Sequence, residues 1–292
     1  MKRFTHLRVA SGYSFKYGTA HANQLVERAA EFEMSALALT DMNTMAGAIR
    51  FAKSCEANGI APILGINLSF VQKKYRITVL AQGGHLDSLY RLVTAVNLDN
   101  SENLLTHSLL ERFSQYSRNL LLLHGPESQL ASAIAARKGA EALSIFNSTR
   151  ELFADQGLEC VSHLTRGDGQ FSTSYAARML GFARDNQVPA ILSNAVRMLD
   201  RDDGPVADVL DAAREHHGHE AWVVSRDEAC EAGWFGKRVT DIARKRLGDV
   251  ALVPFTGTSF DEPLDSGAFS LVCRHGSLTA AEVDVPLLAI AR

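Results

Sequence analysis

The chain has 292 residues, of which 46% are hydrophobic, and its formal net charge at neutral pH is −3. That length suits one large α/β domain or two smaller ones. The slightly negative charge excludes a globally basic surface, so DNA would be contacted only locally or through a partner. The four cysteines form no Cys-x-x-Cys pair, and we therefore expect neither a structural zinc site nor a disulfide framework. No apolar run approaches the roughly 18 residues that a membrane span needs, and we expect a cytoplasmic protein.

From Phe4 to about His216, short apolar runs alternate with amphipathic stretches. This alternation is typical of a parallel sheet or a (β/α) barrel, and about seven strand–helix units fit it. The expected strands lie near residues 36–39, 63–70, 76–81, 120–123, 158–161 and 190–193. The expected helices lie near residues 22–34, 44–58, 86–96, 127–153 and 173–187, and after residue 204.

Beyond His216 the composition changes, because both tryptophans lie there and Gly, Pro, Ser and Thr become frequent after Gly248. We therefore place a barrel domain at residues 1–216 and a C-terminal extension at residues 217–292. The extension is expected to be partly helical, over about residues 237–247, or irregular, and residues 248–292 show little periodicity.

Polar side chains follow several of the expected strands. In α/β barrels the carboxyl ends of the strands converge on one face, so side chains just past each strand share a pocket. On this basis the pocket contains His6 or Arg8, together with Asp41, Asn67, Arg76, His124, His163 and Arg197. His124 and His163 also suit an ordinary role as core or loop histidines.

The motifs at these strand ends resemble the polymerase and histidinol phosphatase (PHP) domain, in the form found in bacterial DNA polymerase III alpha subunits and error-prone polymerases. Family members read His-x-His-Thr/Ser, Thr-Asp-His, Gly-x-Glu and Asn-Asp-x-His at four places along the chain. Here those places read Arg8-Val-Ala10-Ser11, Thr40-Asp41-Met42, Gly65-Ile-Asn67 and Asn194-Ala195-Val-Arg197. The resemblance covers about residues 4–215 and implies a distorted seven-stranded (β/α)7 TIM-like barrel.

The resemblance also implies a site for up to three divalent metals, but most of its ligands are replaced here. The vestigial pocket consists of Arg8, Ala10, Asp41, Met42, Asn67, Arg76, His124, His163, Ala195 and Arg197. A guanidinium has no lone pair to donate, and two like charges about 4 Å apart repel by roughly 4 kcal/mol at an effective dielectric near 20. We therefore expect no catalytic residue and no metal cofactor, or at most one weakly bound divalent metal on Asp41 and His163. Asp41 is expected to pair with an arginine, which makes the pocket a salt-bridge plug or an anion site.

By the same resemblance, the protein belongs to DNA replication or error-prone repair synthesis. We expect a catalytically inactive scaffold or fragment, because the sequence ends where the palm of the DNA-directed DNA polymerase family (nucleotidyltransferases) would begin. The implied partners are polymerase III subunits or a separate polymerase core, with DNA contacted only through them and no membrane. The alternative is a metal-dependent phosphoesterase with an atypical site that acts on a nucleotide or sugar phosphate. A third reading is a sensor of anions or nucleotides.

Overall fold

The computed structural model describes residues 4–14, 17–70, 75–98, 114–200, 203–236, 238–258 and 260. The chain divides into two compact units, one that ends at Leu199 and one that begins at Asp200. The sequence placed the division after His216, because the helix before that residue continues the strand–helix alternation. In the structure this helix packs against the strand that follows it, so it belongs to the second unit. As a boundary between independently folding domains, residue 216 stays a prediction.

The first unit confirms the predicted α/β class. Its strands are β1 (Ala36–Leu39), β2 (Ala61–Phe70), β3 (Tyr75–Ala81), β4 (Leu120–His124), β5 (Asp155–Val161) and β6 (Ala190–Ser193). Its helices are α1 (Ala22–Glu31), α2 (Ala48–Ala57), α3 (Leu86–Leu98), α4 (Gln129–Ala135), α5 (Gly139–Leu152) and α6 (Thr173–Asp185).

The six strands form one sheet in chain order, and most neighbouring pairs are parallel, as predicted. The exception is β3, which runs antiparallel to both β2 and β4. The strand–helix alternation of the sequence did not predict this reversal at β3. The reason can be read from the spacing, because Phe70 and Tyr75 are close in sequence and a parallel connection needs a dozen or more residues.

Residues 6–10, called here the N-terminal segment, lie between the two edges of this sheet. On one side the segment bonds β1, with Ala38 N donating to His6 O at 3.0 Å. On the other side it bonds the residues after β6, with Val196 N donating to Arg8 O at 2.9 Å and Ala10 N donating to Val196 O at 2.8 Å. The N-terminal segment thus takes the seventh place and closes an irregular ring of extended segments.

Alternation along the strands gives the ring a polar interior and an apolar outer face. Ile66 and Leu68 of β2 and Val79 of β3 pack with α3 in one buried cluster. Asn67 and Thr78, which alternate with these residues, point to the other side, where Asn67 Nδ2 donates to Thr78 Oγ1 at 3.1 Å. The apolar clusters outside the ring hold the strands in register, and each large buried side chain contributes roughly 1.5–3 kcal/mol.

Two further apolar clusters complete the first unit. Leu130, Phe146 and Met179 belong to a cluster formed by α4, α5, α6 and β5. Val26 and Phe51 belong to a cluster formed by α1, α2 and β1. These clusters cover the outer face of the sheet. The inner face, where the strands end, can therefore carry polar residues.

The second unit contains α7 (Gly204–His217), β7 (Ala221–Ser225), α8 (Arg226–Glu231), α9 (Asp241–Arg246) and β8 (Val250–Pro254). The strands β7 and β8 pair antiparallel, a pairing that the sequence did not predict, and α9 lies inside the helix predicted at 237–247. Trp222 contacts Trp234 and Phe255, with ring centroids 6.3 and 5.2 Å apart. The regularity of this unit therefore comes from contacts between residues far apart in sequence. Residues 261–292, for which little periodicity was expected, lie outside the described residues.

Within the part of the chain that the structure describes, none of the helices combines the length and the apolarity needed to cross a bilayer. The cytoplasmic location stays a prediction.

Candidate functional site

The pocket predicted from the sequence forms around one end of the ring. A small cavity there is lined by five of the predicted residues, and its remaining walls are Tyr17, Thr40 and Val196. The five are Arg8, Ala10, Met42, Asn67 and Ala195. The N-terminal segment, β1, β2 and the residues after β6 thus bring these positions together, as the convergence of strand ends requires.

Arg8 is the centre of the site, and only 4% of its surface is exposed. Its Nη2 donates to the carboxylate of Glu127, and its Nη1 lies 3.4 Å from Glu159 Oε2. Arg76 Nη1 lies 3.2 Å from Glu127 Oε1, an ion pair without the alignment of a hydrogen bond. Arg8, Arg76, Glu127 and Glu159 are called the charged cluster below.

Gly125 makes room for the charged cluster. A Cβ atom at this position would collide with Glu159 Oε2 and come within 3.0 Å of Arg8 Nη1. Glycine is therefore the residue that lets the chain after β4 pass close to the buried carboxylate, and it allows the loop to bring Glu127 to Arg8 two residues later.

Tyr17 contacts two arginines, one of which belongs to the charged cluster. The guanidinium carbons of Arg76 and Arg197 lie 4.6 and 4.4 Å from the centroid of its ring, a distance typical of cation–π contacts. Arg197 Nε also donates to Tyr17 O at 3.1 Å. Burial lowers the pKa of Arg76, and the like charges of Arg8 and Arg197 lower it further. The aromatic ring thus contacts both cations.

Asp41 is buried nearby, with 1% of its surface exposed, but the prediction that it pairs with Arg8, Arg76 or Arg197 is wrong. Its Oδ1 accepts hydrogen bonds from Ser11 N at 2.7 Å and from Ser14 Oγ at 2.7 Å, and its Oδ2 accepts one from Ser11 Oγ at 2.9 Å. Burial is the main influence on its carboxyl pKa, which is raised, while these hydrogen bonds act in the opposite direction. Asp41 therefore holds the turn at residues 11–14 instead of neutralising an arginine.

The histidines predicted for the pocket do not line the cavity, although His163 Nε2 lies 3.0 Å from Asn194 O, next to Ala195. His124 faces α5, where its Nε2 lies 3.0 Å from Gln156 Oε1, and burial lowers its pKa to about 4. His163 is exposed and stacks on Phe171 with ring centroids 4.9 Å apart. His6, the alternative to Arg8, lines a separate apolar cavity of about 200 Å³ beside α1. The interpretation of His124 and His163 as ordinary histidines is the one their surroundings support.

The sequence analysis missed Glu127, Glu159 and Tyr17. Glu159 carried a partial signal, because it lies between Leu158 and Cys160 in the predicted strand 158–161, and the structure buries it fully. A buried carboxylate needs a cationic or hydrogen-bonding partner, so its presence in β5 implied an arginine or lysine nearby. Glu127 follows a turn at Gly125-Pro126 and carries no comparable signal.

The residues at this end of the ring do not fit a metal cluster. At Arg8 and Arg197 the PHP pattern has histidine, and the guanidinium groups present here cannot ligate a cation and repel one. Of the nearby carboxylates, Glu127 and Glu159 are already paired with Arg8, and Asp41 already accepts hydrogen bonds from Ser11 and Ser14. Among the described residues, no three His, Cys, Asp or Glu side chains are grouped so that they could hold a metal ion.

The fold and the site define an α/β protein with an ion-paired pocket at the strand ends. The family model of the PHP domain matches residues 6–163. Because this match covers more than half of the chain, the chain belongs to the PHP domain family, and the predicted resemblance is confirmed.

Similar proteins include long bacterial polymerases. The DNA polymerase III alpha subunit of Bacillus subtilis is 26% identical over 261 residues, which are 86% of this chain and 21% of that protein. An error-prone DNA polymerase of Symbiobacterium thermophilum is 42% identical over 97 residues, which are 32% of this chain and 9% of that protein. The alpha subunit of Buchnera aphidicola is 26% identical over 223 residues, and the match covers 73% of this chain and 19% of the subunit. The chain therefore spans about a fifth of the length of these alpha subunits.

Solved structures with some likeness include a protein described as a metal-dependent phosphoesterase from Bifidobacterium adolescentis. It has a TM-score of 0.46 and 12% identity, and the match covers 68% of this chain and 88% of that one. An amidohydrolase from Chromobacterium violaceum has a TM-score of 0.43 and 12% identity over 70% of this chain and 96% of that one.

Proposed function

We propose that this chain is a PHP domain of the DNA polymerase III alpha type that acts as a scaffold and has no metal-dependent catalysis. The observation that carries the proposal is the pairing of Arg8 with Glu127 and Glu159. It places a buried cation, already neutralised by two carboxylates, where the family pattern has a metal ligand. Membership in the PHP family and similarity to polymerase alpha subunits support the polymerase context.

In this proposal the protein serves DNA replication or error-prone repair synthesis in the cytoplasm. Its partners are polymerase III subunits or a separate polymerase core, and it needs no cofactor. DNA is contacted through those partners, because a net charge of −3 supplies no general attraction to the phosphate backbone.

Metal content and hydrolytic activity test the inactive state. Plasma mass spectrometry of the purified protein is expected to find less than stoichiometric Zn, Mn and Fe. Hydrolysis of bis(p-nitrophenyl) phosphate and of single-stranded DNA should not respond to added Mn²⁺, Zn²⁺ or Mg²⁺. Stoichiometric metal that a chelator removes together with activity would instead establish the alternative, a metal-dependent phosphoesterase acting on a nucleotide or sugar phosphate.

A gain-of-ligand variant shows whether the arginine is what excludes metal. Arg8→His combined with Ala10→His and Met42→His returns three imidazoles to the places where the family pattern has them. This variant is expected to retain more Zn²⁺ or Mn²⁺ than the unchanged protein, because the guanidinium is gone and Glu127 and Glu159 become available as ligands.

Binding to a polymerase core tests the scaffold role. Titration calorimetry with a purified polymerase III core from the same source is expected to show a saturable complex, whereas labelled single-stranded DNA alone should not bind at physiological salt. Tight, salt-dependent binding of DNA by the chain alone, with no affinity for the core, would contradict the proposal.

A further inference from the structure

The charged cluster connects parts of the ring that the backbone does not connect. The N-terminal segment, which carries Arg8, bonds β1 on one side and Val196 on the other. The side chain of Arg8 reaches away from both neighbours to Glu159 on β5 and to Glu127 in the loop after β4. Glu127 in turn reaches Arg76 on β3. Four segments are thereby joined across the interior.

Because it is buried, the carboxylate of Glu159 depends on its cationic partner. Glu159 is fully buried, and its Oε1 has no hydrogen-bond partner among the described residues. Its charge is therefore balanced mainly by Arg8, whose Nη1 lies 3.4 Å from Oε2. A buried carboxylate that loses its cation is left in a low-dielectric interior, so removal of Arg8 damages the folded state far more than the loss of a surface ion pair.

We propose that the charged cluster replaces the metal cluster of the PHP pattern as a cross-link of the ring, so that the folded state depends on Arg8 and not on any divalent cation. The inference rests on the poor fit of these residues to a metal, and it does not require the scaffold role proposed above. In a metal-dependent relative, ligands from several strands would be joined through cations. In this chain the positive charge at the same end of the ring belongs to a guanidinium. Because the guanidinium is covalently part of the protein, a chelator cannot remove it.

Thermal unfolding followed by circular dichroism tests the proposal on the full chain. An excess of EDTA is expected to leave the melting temperature unchanged. Arg8→Met, which keeps the aliphatic stem and removes the charge, is expected to lower the melting temperature by about 10 °C. The matched control is Arg184→Met on α6, whose exposed guanidinium pairs with Asp185 at 3.1 Å, and it should change the melting temperature by no more than about 2 °C.

A double-substitution cycle keeps the test informative where Arg8→Met fails to fold. Glu159→Leu removes the stranded carboxylate, and Arg8→Met/Glu159→Leu is expected to fold and to recover more than half of the loss, because an uncharged pair needs no desolvated partner. Glu127→Gln, at a less buried position, is expected to fold and to lower the melting temperature by a few degrees in the unchanged background, and by less in the Arg8→Met/Glu159→Leu background, where Glu127 keeps only its pair with Arg76.

Three outcomes would overturn the proposal: a clear fall in melting temperature with EDTA, an Arg8→Met effect no larger than that of Arg184→Met, or strictly additive effects in the cycle. These outcomes are separate from those of the scaffold proposal. A protein without metal and without activity that tolerates Arg8→Met would refute the cross-link and leave the scaffold role intact, whereas stoichiometric metal with activity would refute the scaffold role.

Discussion

The interior of the ring and the layer between the sheet and α5 both bury polar groups, but they stabilise them by different means. In the interior, Arg8 forms ion pairs with Glu127 and Glu159. In the outer layer, the polar groups are His124, Thr149 and Gln156, called the neutral cluster below, and they are joined by hydrogen bonds only.

The polar side chains of the neutral cluster form hydrogen bonds with one another and with the backbone. Gln156 Nε2 donates to Phe146 O at 2.9 Å, which fixes the orientation of the amide. Its Oε1 therefore faces Thr149 Oγ1 at 2.8 Å and His124 Nε2 at 3.0 Å, and both of these atoms donate to it. Burial lowers the pKa of His124 to about 4, so at neutral pH the ring is neutral, and the contact with the amide oxygen of Gln156 assigns its one hydrogen to Nε2.

The difference teaches that burial alone does not decide how a polar residue behaves. A buried group with enough neutral donors and acceptors needs no counter-charge, whereas a buried charge depends on one specific partner. Asp41 lies between these cases, since it is a carboxylate held by one backbone N–H and two hydroxyl groups. Substitutions in the two regions should therefore differ both in size and in their dependence on pH.

Outside the charged cluster, we expect the largest loss of stability when Asp41 is substituted. Asp41→Ala leaves Ser11 N, Ser11 Oγ and Ser14 Oγ without their acceptor inside the protein, and each unpaired buried group costs about 1–3 kcal/mol. We expect a total loss of about 4 kcal/mol in the free energy of unfolding, measured by urea denaturation at pH 7.

The control for this prediction is Asp41→Asn, which keeps one acceptor oxygen and nearly the same volume and should cost about 1–2 kcal/mol. If Asp41→Ala unfolds at the same urea concentration as the unchanged protein, the serine turn does not depend on Asp41, and the assignment of its role is refuted.

The order of strands and helices could be predicted because periodicity and length determine it. The convergence of Arg8, Asn67 and Ala195 on one pocket could also be predicted, since strand ends in such folds share a face. The partners of these residues could not be predicted from the sequence. Arg8 meets Glu127 across 119 residues of sequence, and no local pattern records a contact of that separation.

The misplacement of His124 has a specific cause. It ends a strand of four consecutive leucines, Leu120–Leu123, and such a run carries no alternation that would tell one face from the other. In the structure, Leu120 and Leu122 pack in the cluster with α3, and His124 continues their face because side chains alternate along a strand. Only the contacts of the outer face show that the histidine points away from the pocket.

A smaller effect, with a defined pH window, is expected in the neutral cluster. The pKa of His124 falls from its ordinary value of 6.5 to about 4 because burial excludes the charged form. Between these two values the unfolded chain binds a proton that the folded chain does not. The contribution of His124 to stability is therefore fully present above pH 6.5 and is lost as the pH falls towards 4, by about 3 kcal/mol in total.

His124→Gln removes the titrating group, so its free energy of unfolding should fall less steeply than that of the unchanged protein between pH 7 and pH 4. The difference between the two curves, measured by urea denaturation at intervals of pH, should change by about 3 kcal/mol across the window. Thr149→Val is the matched control. It removes a hydrogen bond of the same cluster but keeps the imidazole, so it should lower stability by about 1 kcal/mol at neutral pH without flattening the curve. Parallel curves for His124→Gln and the unchanged protein would show that His124 binds its proton over the same pH range in the folded and the unfolded chain, which would refute its assignment as a buried neutral group.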